Sequence, residues 1–231
     1  MFSRLVRSLM AAIVAGSGLA LVAAPSASAA PCPDIEVIFA RGTDEPPGVG
    51  GVGRAFVDSV RADAGGKSVG VYAVDYPAAS NFSAGVEFAR TVVDGIRDEA
   101  DHIQATAANC PNTQMILGGY SQGAVVTGFA TASDVPDGVP AELVPAPMPP
   151  AIADHVAAVV LFGKPSAEFL RPYNAPAVNV GPLYAPKTLE LCDPGDTICS
   201  GAPDGGPTIA HVLYPVNGMT AQGADYATSR L

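Results

Sequence analysis

The segment Gln114–Ala124 reads QMILGGYSQGA and presents one serine, Ser121, inside the pattern Gly-x-Ser-x-Gly. In that pattern a strand turns so tightly into a helix that the positions two residues to either side of the serine must be small, and Gly119 and Gly123 meet the requirement. Apolar Met115, Ile116 and Leu117 lead in, and a helix-compatible run, Gln122–Thr131, leads out. Ser121 is thereby expected at the carboxyl edge of a sheet, beside the N–H groups of a helix N-terminus. The chemistry served by such a turn is nucleophilic attack on an acyl carbon.

A serine hydroxyl is a poor nucleophile near neutral pH and needs a base, usually a histidine held by a carboxylate. The chain has three histidines. His102 falls late in a helical stretch and His155 just before an apolar run, which puts both at the edge away from Ser121. His211, after the last strand and before the terminal helix, is the candidate base. The order Ser, acid, His confines the acid to residues between Ser121 and His211, where CDPGDTIC offers Asp193 and Asp196. Asp196, after flexible Gly195, is preferred; Asp193, before Pro194, suits the turn and stays the alternative. Charge developing on the carbonyl oxygen needs N–H donors. The N–H of Gln122 is one, and Thr43 in FARGT offers a second N–H and a hydroxyl. Arg41 of the same loop reads as a structural cation bonded to loop carbonyls.

The elements that must position these groups alternate. Ile35 to Ala40, Val69 to Val74, Met115 to Tyr120, Val156 to Phe162 and a shorter Thr188 to Cys192 read as buried strands. Val52 to Ala64, Ala84 to Ala107, Gln122 to Thr131 and about Met219 to Arg230 read as helices. The order implies an α/β fold, with a mostly parallel sheet covered on both faces. Strand-to-helix loops then share the carboxyl edge, so the rim of the site is expected from Asp44–Gly51, Pro77–Ser83, Gly163–Pro186 and Ser200–Gly218. The Pro-rich segment Ser133–Pro150 joins a helix to the next strand and reads as a structural loop on the opposite edge. The same sorting puts Cys32 and Cys110 together at the amino edge and Cys192 and Cys199 together at the carboxyl edge, which predicts two disulfides.

Arg4 and Arg7, the apolar stretch Leu9–Ala24 and Ala27-Ser28-Ala29 read as a secretory leader over residues 1–30, removed from a single domain of 31–231. Removing those two arginines takes the net charge from −10 to −12, because all 22 acidic residues lie later in the chain. That balance argues against nucleic acid as a partner, and no later segment is long and apolar enough to span a bilayer.

Together FARGT, Cys110-Pro111, GGYSQGA, LFGKP and CDPGDTIC followed by His211 resemble the cutinase family, most closely its bacterial branch of secreted esterases. The resemblance covers nearly all of 31–231. It implies a minimal α/β-hydrolase, a three-layer sandwich with a five-stranded parallel sheet and no lid. It also implies Ser121, Asp196 and His211 as triad, Thr43 and Gln122 as oxyanion hole, and the cysteine pairs just described. No metal or cofactor is implied, and a monomer is expected. The chain departs from the fungal pattern in a longer insertion around Pro136–Pro150 and in the flanks of the site. Simple acyl esters or lipids are therefore expected as substrates before the plant polymer cutin. Two other readings share these residues: an acyltransferase using the same acyl-enzyme, and a non-catalytic secreted protein that binds envelope lipid.

Overall fold

The computed structural model describes residues 31–136, 139–202 and 206–231, so the leader expected over 1–30 lies outside the described residues. Ile35–Ala40 (β1), Val69–Ala73 (β2), Gln114–Tyr120 (β3), Val156–Phe162 (β4) and Thr188–Leu191 (β5) form one sheet in the order β2-β1-β3-β4-β5. Every neighbouring pair is parallel. The helices are α1 (Gly50–Asp63), α2 (Val86–Asn109), α3 (Gln122–Ala130), α4 (Ala167–Leu170), α5 (Ile209–Val212) and α6 (Met219–Thr228). The fold is that of an α/β hydrolase.

The central strands are apolar throughout because both faces of the sheet are covered. Their side chains alternate between two cores. Ile38, Met115, Leu117, Val159 and Leu161 face α2 and α3, while Ile35, Val37, Phe39, Ile116, Val160 and Phe162 face α1 and α6. On α1 the buried residues Val52, Phe56, Val57 and Val60 recur at helical spacing, leaving Arg54, Asp58 and Arg61 to solvent. Phe56 packs its ring 5.4 Å from Phe162 and 6.0 Å from Phe39. Truncating such a buried aromatic to alanine costs about 3–5 kcal/mol.

Cys32 is bonded to Cys110 and Cys192 to Cys199, with Cα separations of 5.6 and 5.8 Å. The first bridge staples the entry to β1 onto the entry to β3; the second closes a small ring after β5. Among the described residues no helix is long and apolar enough to cross a membrane.

Some boundaries move. The helix expected from Ala84 begins at Val86, because Gly85 at φ +55° breaks it from a 3-10 turn over Phe82–Ala84. Two rim loops contain the short helices α4 and α5, which the apolar periodicity did not announce. The Pro-rich loop packs against a second segment. It leaves α3 at the amino edge, where the carbonyl of Thr131 accepts from the N–H of Gly181 at 2.9 Å. Val139, however, lines a cleft with Ala167, Glu168, Arg171 and Asn174, on a segment rooted at the carboxyl edge. Val139 thus stands beside the segment that follows β4.

Candidate active site

Ser121 sits between β3 and α3 at φ +53°, ψ −117°, a conformation that costs a non-glycine residue about 1–3 kcal/mol and persists only where neighbours impose it. Here two constraints impose it. The Ser121 N–H donates to the Phe162 carbonyl at 2.9 Å, extending the β3–β4 pairing to the turn. α3 also starts hard against β1: a Cβ on Gly123 would fall 2.0 Å from the Ala40 carbonyl oxygen, and one on Gly119 would fall 2.3 Å from the Gly123 carbonyl oxygen. No side chain fits at either position, so the small residues are demanded by backbone contact.

His211, on α5, brings Nε2 to 2.9 Å from Ser121 Oγ and Nδ1 to 2.8 Å from Asp196 Oδ2. Both His211 and Asp196 are buried. With a carboxylate on Nδ1, that nitrogen carries the proton, which leaves Nε2 free to accept the serine hydrogen. Asp196 is held by further donors: Ile198 N–H to Oδ1 at 3.0 Å and the Tyr214 hydroxyl to Oδ2 at 2.7 Å. Burial alone would raise its pKa, but the hydrogen bonds from His211 and Tyr214, with the backbone N–H, outweigh it and hold the carboxyl below its ordinary value. Asp193, the alternative, points elsewhere. It accepts from Gly195 N–H and from Asn217 Nδ2, both at 2.9 Å, and so shapes the turn. Gly163, at φ +54° after β4, lies directly under the pair, since a Cβ there would stand 3.1 Å from Asp196 Oδ2 and 3.2 Å from His211 Cε1.

The loop after β1 is pinned on all sides. Arg41 donates from Nε to the Glu45 carbonyl at 2.8 Å and from Nη2 to the Tyr76 carbonyl at 2.5 Å, with its guanidinium 5.0 Å from the Tyr76 ring centre. All its partners are loop groups. The Glu45 carboxylate takes the N–H groups of Gly42 and Gly51 at 2.7 and 2.6 Å, and the Asp44 N–H donates to the Ala78 carbonyl at 2.8 Å. Among the described residues, neither the Thr43 nor the Gln122 N–H donates to a protein acceptor. The Gln122 side chain donates to the Ala79 carbonyl at 2.9 Å, tying α3 to the β2–α2 loop.

Of the other histidines, His155 closes the 3-10 turn that enters β4, at the edge away from the serine. His102 lies 3.2 Å from the Glu36 carboxylate and stacks on Tyr72, centroids 3.4 Å apart. Two groups went unseen in the sequence. Tyr120 donates its hydroxyl to the His211 carbonyl at 2.6 Å, and Tyr214 bonds to Asp196. Their only signal was adjacency, one residue before the serine and three after the histidine. Apolar side chains also reach the surface: Phe82 packs on Phe88 and Tyr173, and Ile209, Val212 and Val216, on and just after the helix that carries His211, stand exposed.

A serine forced into a strained turn at the carboxyl edge of a parallel sheet, within reach of a buried imidazole–carboxylate pair, places the chain among the α/β-hydrolase-like carboxylic ester hydrolases. A sequence model of the family Cutinase matches residues 31–231, and the chain belongs to that family. Two relatives come from Mycobacterium tuberculosis (strain ATCC 25618 / H37Rv). The probable carboxylesterase Culp7 is 58% identical over 167 residues, which cover 72% of this chain and 87% of that protein. The phospholipase Culp4 is 46% identical over 231 residues, covering 99% and 93%. Among solved structures, Trichoderma reesei cutinase in complex with a C11Y4 phosphonate inhibitor is 32% identical with a TM-score of 0.63, the match covering 86% of this chain and 77% of that one.

Proposed function

We propose that the protein is a secreted serine esterase that cleaves short- to medium-chain acyl esters through Ser121, His211 and Asp196. Ser121 Oγ attacks the ester carbonyl while His211 Nε2 takes its proton. The N–H groups of Gln122 and Thr43 receive the developing oxyanion. His211 returns the proton to the departing alcohol, and water, activated by the same imidazole, then releases the acid from the acyl-enzyme. Asp196 keeps the imidazole in the required tautomer and stabilises its charged form. The observation that carries the reading is the continuous chain of contacts Ser121 Oγ–His211 Nε2 and His211 Nδ1–Asp196 Oδ2, at 2.9 and 2.8 Å.

Replacing Ser121 by alanine is expected to abolish both labelling by a fluorophosphonate and hydrolysis of p-nitrophenyl butyrate, with circular dichroism unchanged. Activity retained in that variant would remove the proposal. A chain-length series of esters then sizes the acyl site. Glycerophospholipid esters form a second reading, supported by exposed Ile209 and Val212 on the helix that carries His211 and by the name of the relative Culp4. Release of fatty acid from phosphatidylcholine vesicles, compared with release from p-nitrophenyl esters of equal chain length, separates the two.

Export belongs to the same proposal. Residues 1–30 are removed and 31–231 act as one monomeric catalytic domain, a reading supported by the leader pattern and by two disulfides, which persist in oxidising compartments. N-terminal sequencing of protein recovered from culture medium tests it.

A further inference from the structure

We propose that Tyr214 is a positioning residue of this site, orienting Asp196 and setting the basicity that His211 presents to Ser121. The proposal rests on the triad reading above. Tyr214 is fully buried, with its ring packed 6.2 Å from Phe162 and 5.8 Å from Tyr120. A phenol hydroxyl has one hydrogen to give and lone pairs to receive. The N–H of Asp193 donates to that oxygen at 3.1 Å, and the hydrogen goes to Asp196 Oδ2 at 2.7 Å. The nearby Cys199 Sγ, 3.4 Å away, is in a disulfide and carries no hydrogen. Burial, the dominant influence, raises the phenol pKa well above its ordinary value despite the Asp193 N–H, so the group stays a donor throughout the working range.

Two consequences follow from where that hydrogen lands. Asp196 Oδ2 is the atom that also faces His211 Nδ1, so its charge is shared between two donors. Removing one donor leaves a more basic carboxylate, a stronger grip on the imidazolium, and a histidine that holds its proton to higher pH. The second consequence concerns the ring. The backbone N–H of Asp193 aims the tyrosine, and the tyrosine aims the acid. The Cys192–Cys199 ring therefore acts on Asp196 through a side chain outside the ring as well as through its own backbone.

The test is Tyr214→Phe, assayed on p-nitrophenyl butyrate across pH. We expect kcat to fall by about tenfold to a hundredfold with KM within about twofold. The acid limb of kcat/KM, which reports the free enzyme's base, should move up by about half a unit or more. A merely structural tyrosine would leave that limb in place. Placing a difluorinated tyrosine at position 214, a stronger donor of the same shape, should move the limb down, and this arm decides the matter if the phenylalanine variant fails to fold. An unmoved limb in a folded variant overturns the proposal. An active Ser121→Ala enzyme, by contrast, overturns the triad reading beneath it, so the two failures are distinguishable.

Discussion

The Tyr120 hydroxyl donates to the backbone carbonyl of His211 at 2.6 Å, so the residue immediately before the proposed nucleophile holds the main chain of the proposed base. This bond links the end of β3 to α5. Tyr120→Phe should leave that buried carbonyl without its donor, a loss of about 1–3 kcal/mol. We expect a lower Tm, and a kcat reduced by up to about a hundredfold because α5 drifts relative to Ser121. Thermal melts and initial rates on the same preparation check both effects.

The two carboxylates of the ring should separate cleanly. Asp196→Asn is expected to lower kcat by about four orders of magnitude, the cost of the wrong imidazole tautomer. Asp193→Asn should keep most of the rate, because the amide oxygen can still accept from Gly195 or Asn217 and the backbone N–H that reaches Tyr214 is unchanged. If Asp193→Asn proves to be the inactive enzyme, the acid has been misassigned.

Opening the ring should damage catalysis more than folding. A loop this short constrains the unfolded chain by only about 2–3 kcal/mol. Yet Cys199 Sγ lies 3.1 Å from Asp196 Oδ2, so the bridge walls one side of the carboxylate. The double replacement Cys192→Ser, Cys199→Ser is expected to remain folded at moderate temperature and lose most of its esterase rate. Full activity would make the bridge a stability device alone.

Glu99 should make stability fall as pH rises. It is completely buried on α2, with Oε1 unpartnered and Oε2 3.1 Å from Thr127 Oγ1, whose single hydrogen also faces the Gly118 carbonyl at 3.0 Å. Burial drives its pKa well above the ordinary 4.5, against the hydrogen bond from Thr127. A protonated Glu99 donating to Thr127 lets the threonine keep its own hydrogen on the Gly118 carbonyl, whereas a carboxylate competes for that hydrogen. Because the folded state keeps its proton longer than the unfolded chain, stability declines as pH climbs from about the unfolded value toward the folded one. Glu99→Gln should therefore raise Tm at pH 8 by at least about 2 °C, with the gain shrinking toward pH 4. Equal Tm differences at both pH values would sink the idea.

Much of this was legible in the chain. The elbow could be read because backbone contact at Gly119 and Gly123 leaves a compositional mark. The cysteine pairs could be read because a parallel sheet sorts loops onto two edges, whatever the details of the helices. Hydroxyls leave no such mark. Tyr120 and Tyr214 look like ordinary core aromatics in sequence, and only the fold shows where their oxygens end. Glu99 falls at a core position of α2, where the apolar pattern simply skips a beat. Gly85 and α5 escaped because a break or a single helical turn is too short to display a period.

The bridge from Cys32 to Cys110 has a bearing on what happens upstream. Chain ends are where structures fray and proteases begin. Here the covalent tie lies three residues before Ile35, and Asp34 is fastened to Ser68 through its N–H at 2.9 Å and its carboxylate at 2.7 Å. β1 carries the Thr43 loop at its far end, so any loosening of its start would be felt at the proposed oxyanion donors. With the strand anchored at its start, fraying of β1 is kept from the proposed oxyanion donors at its other end.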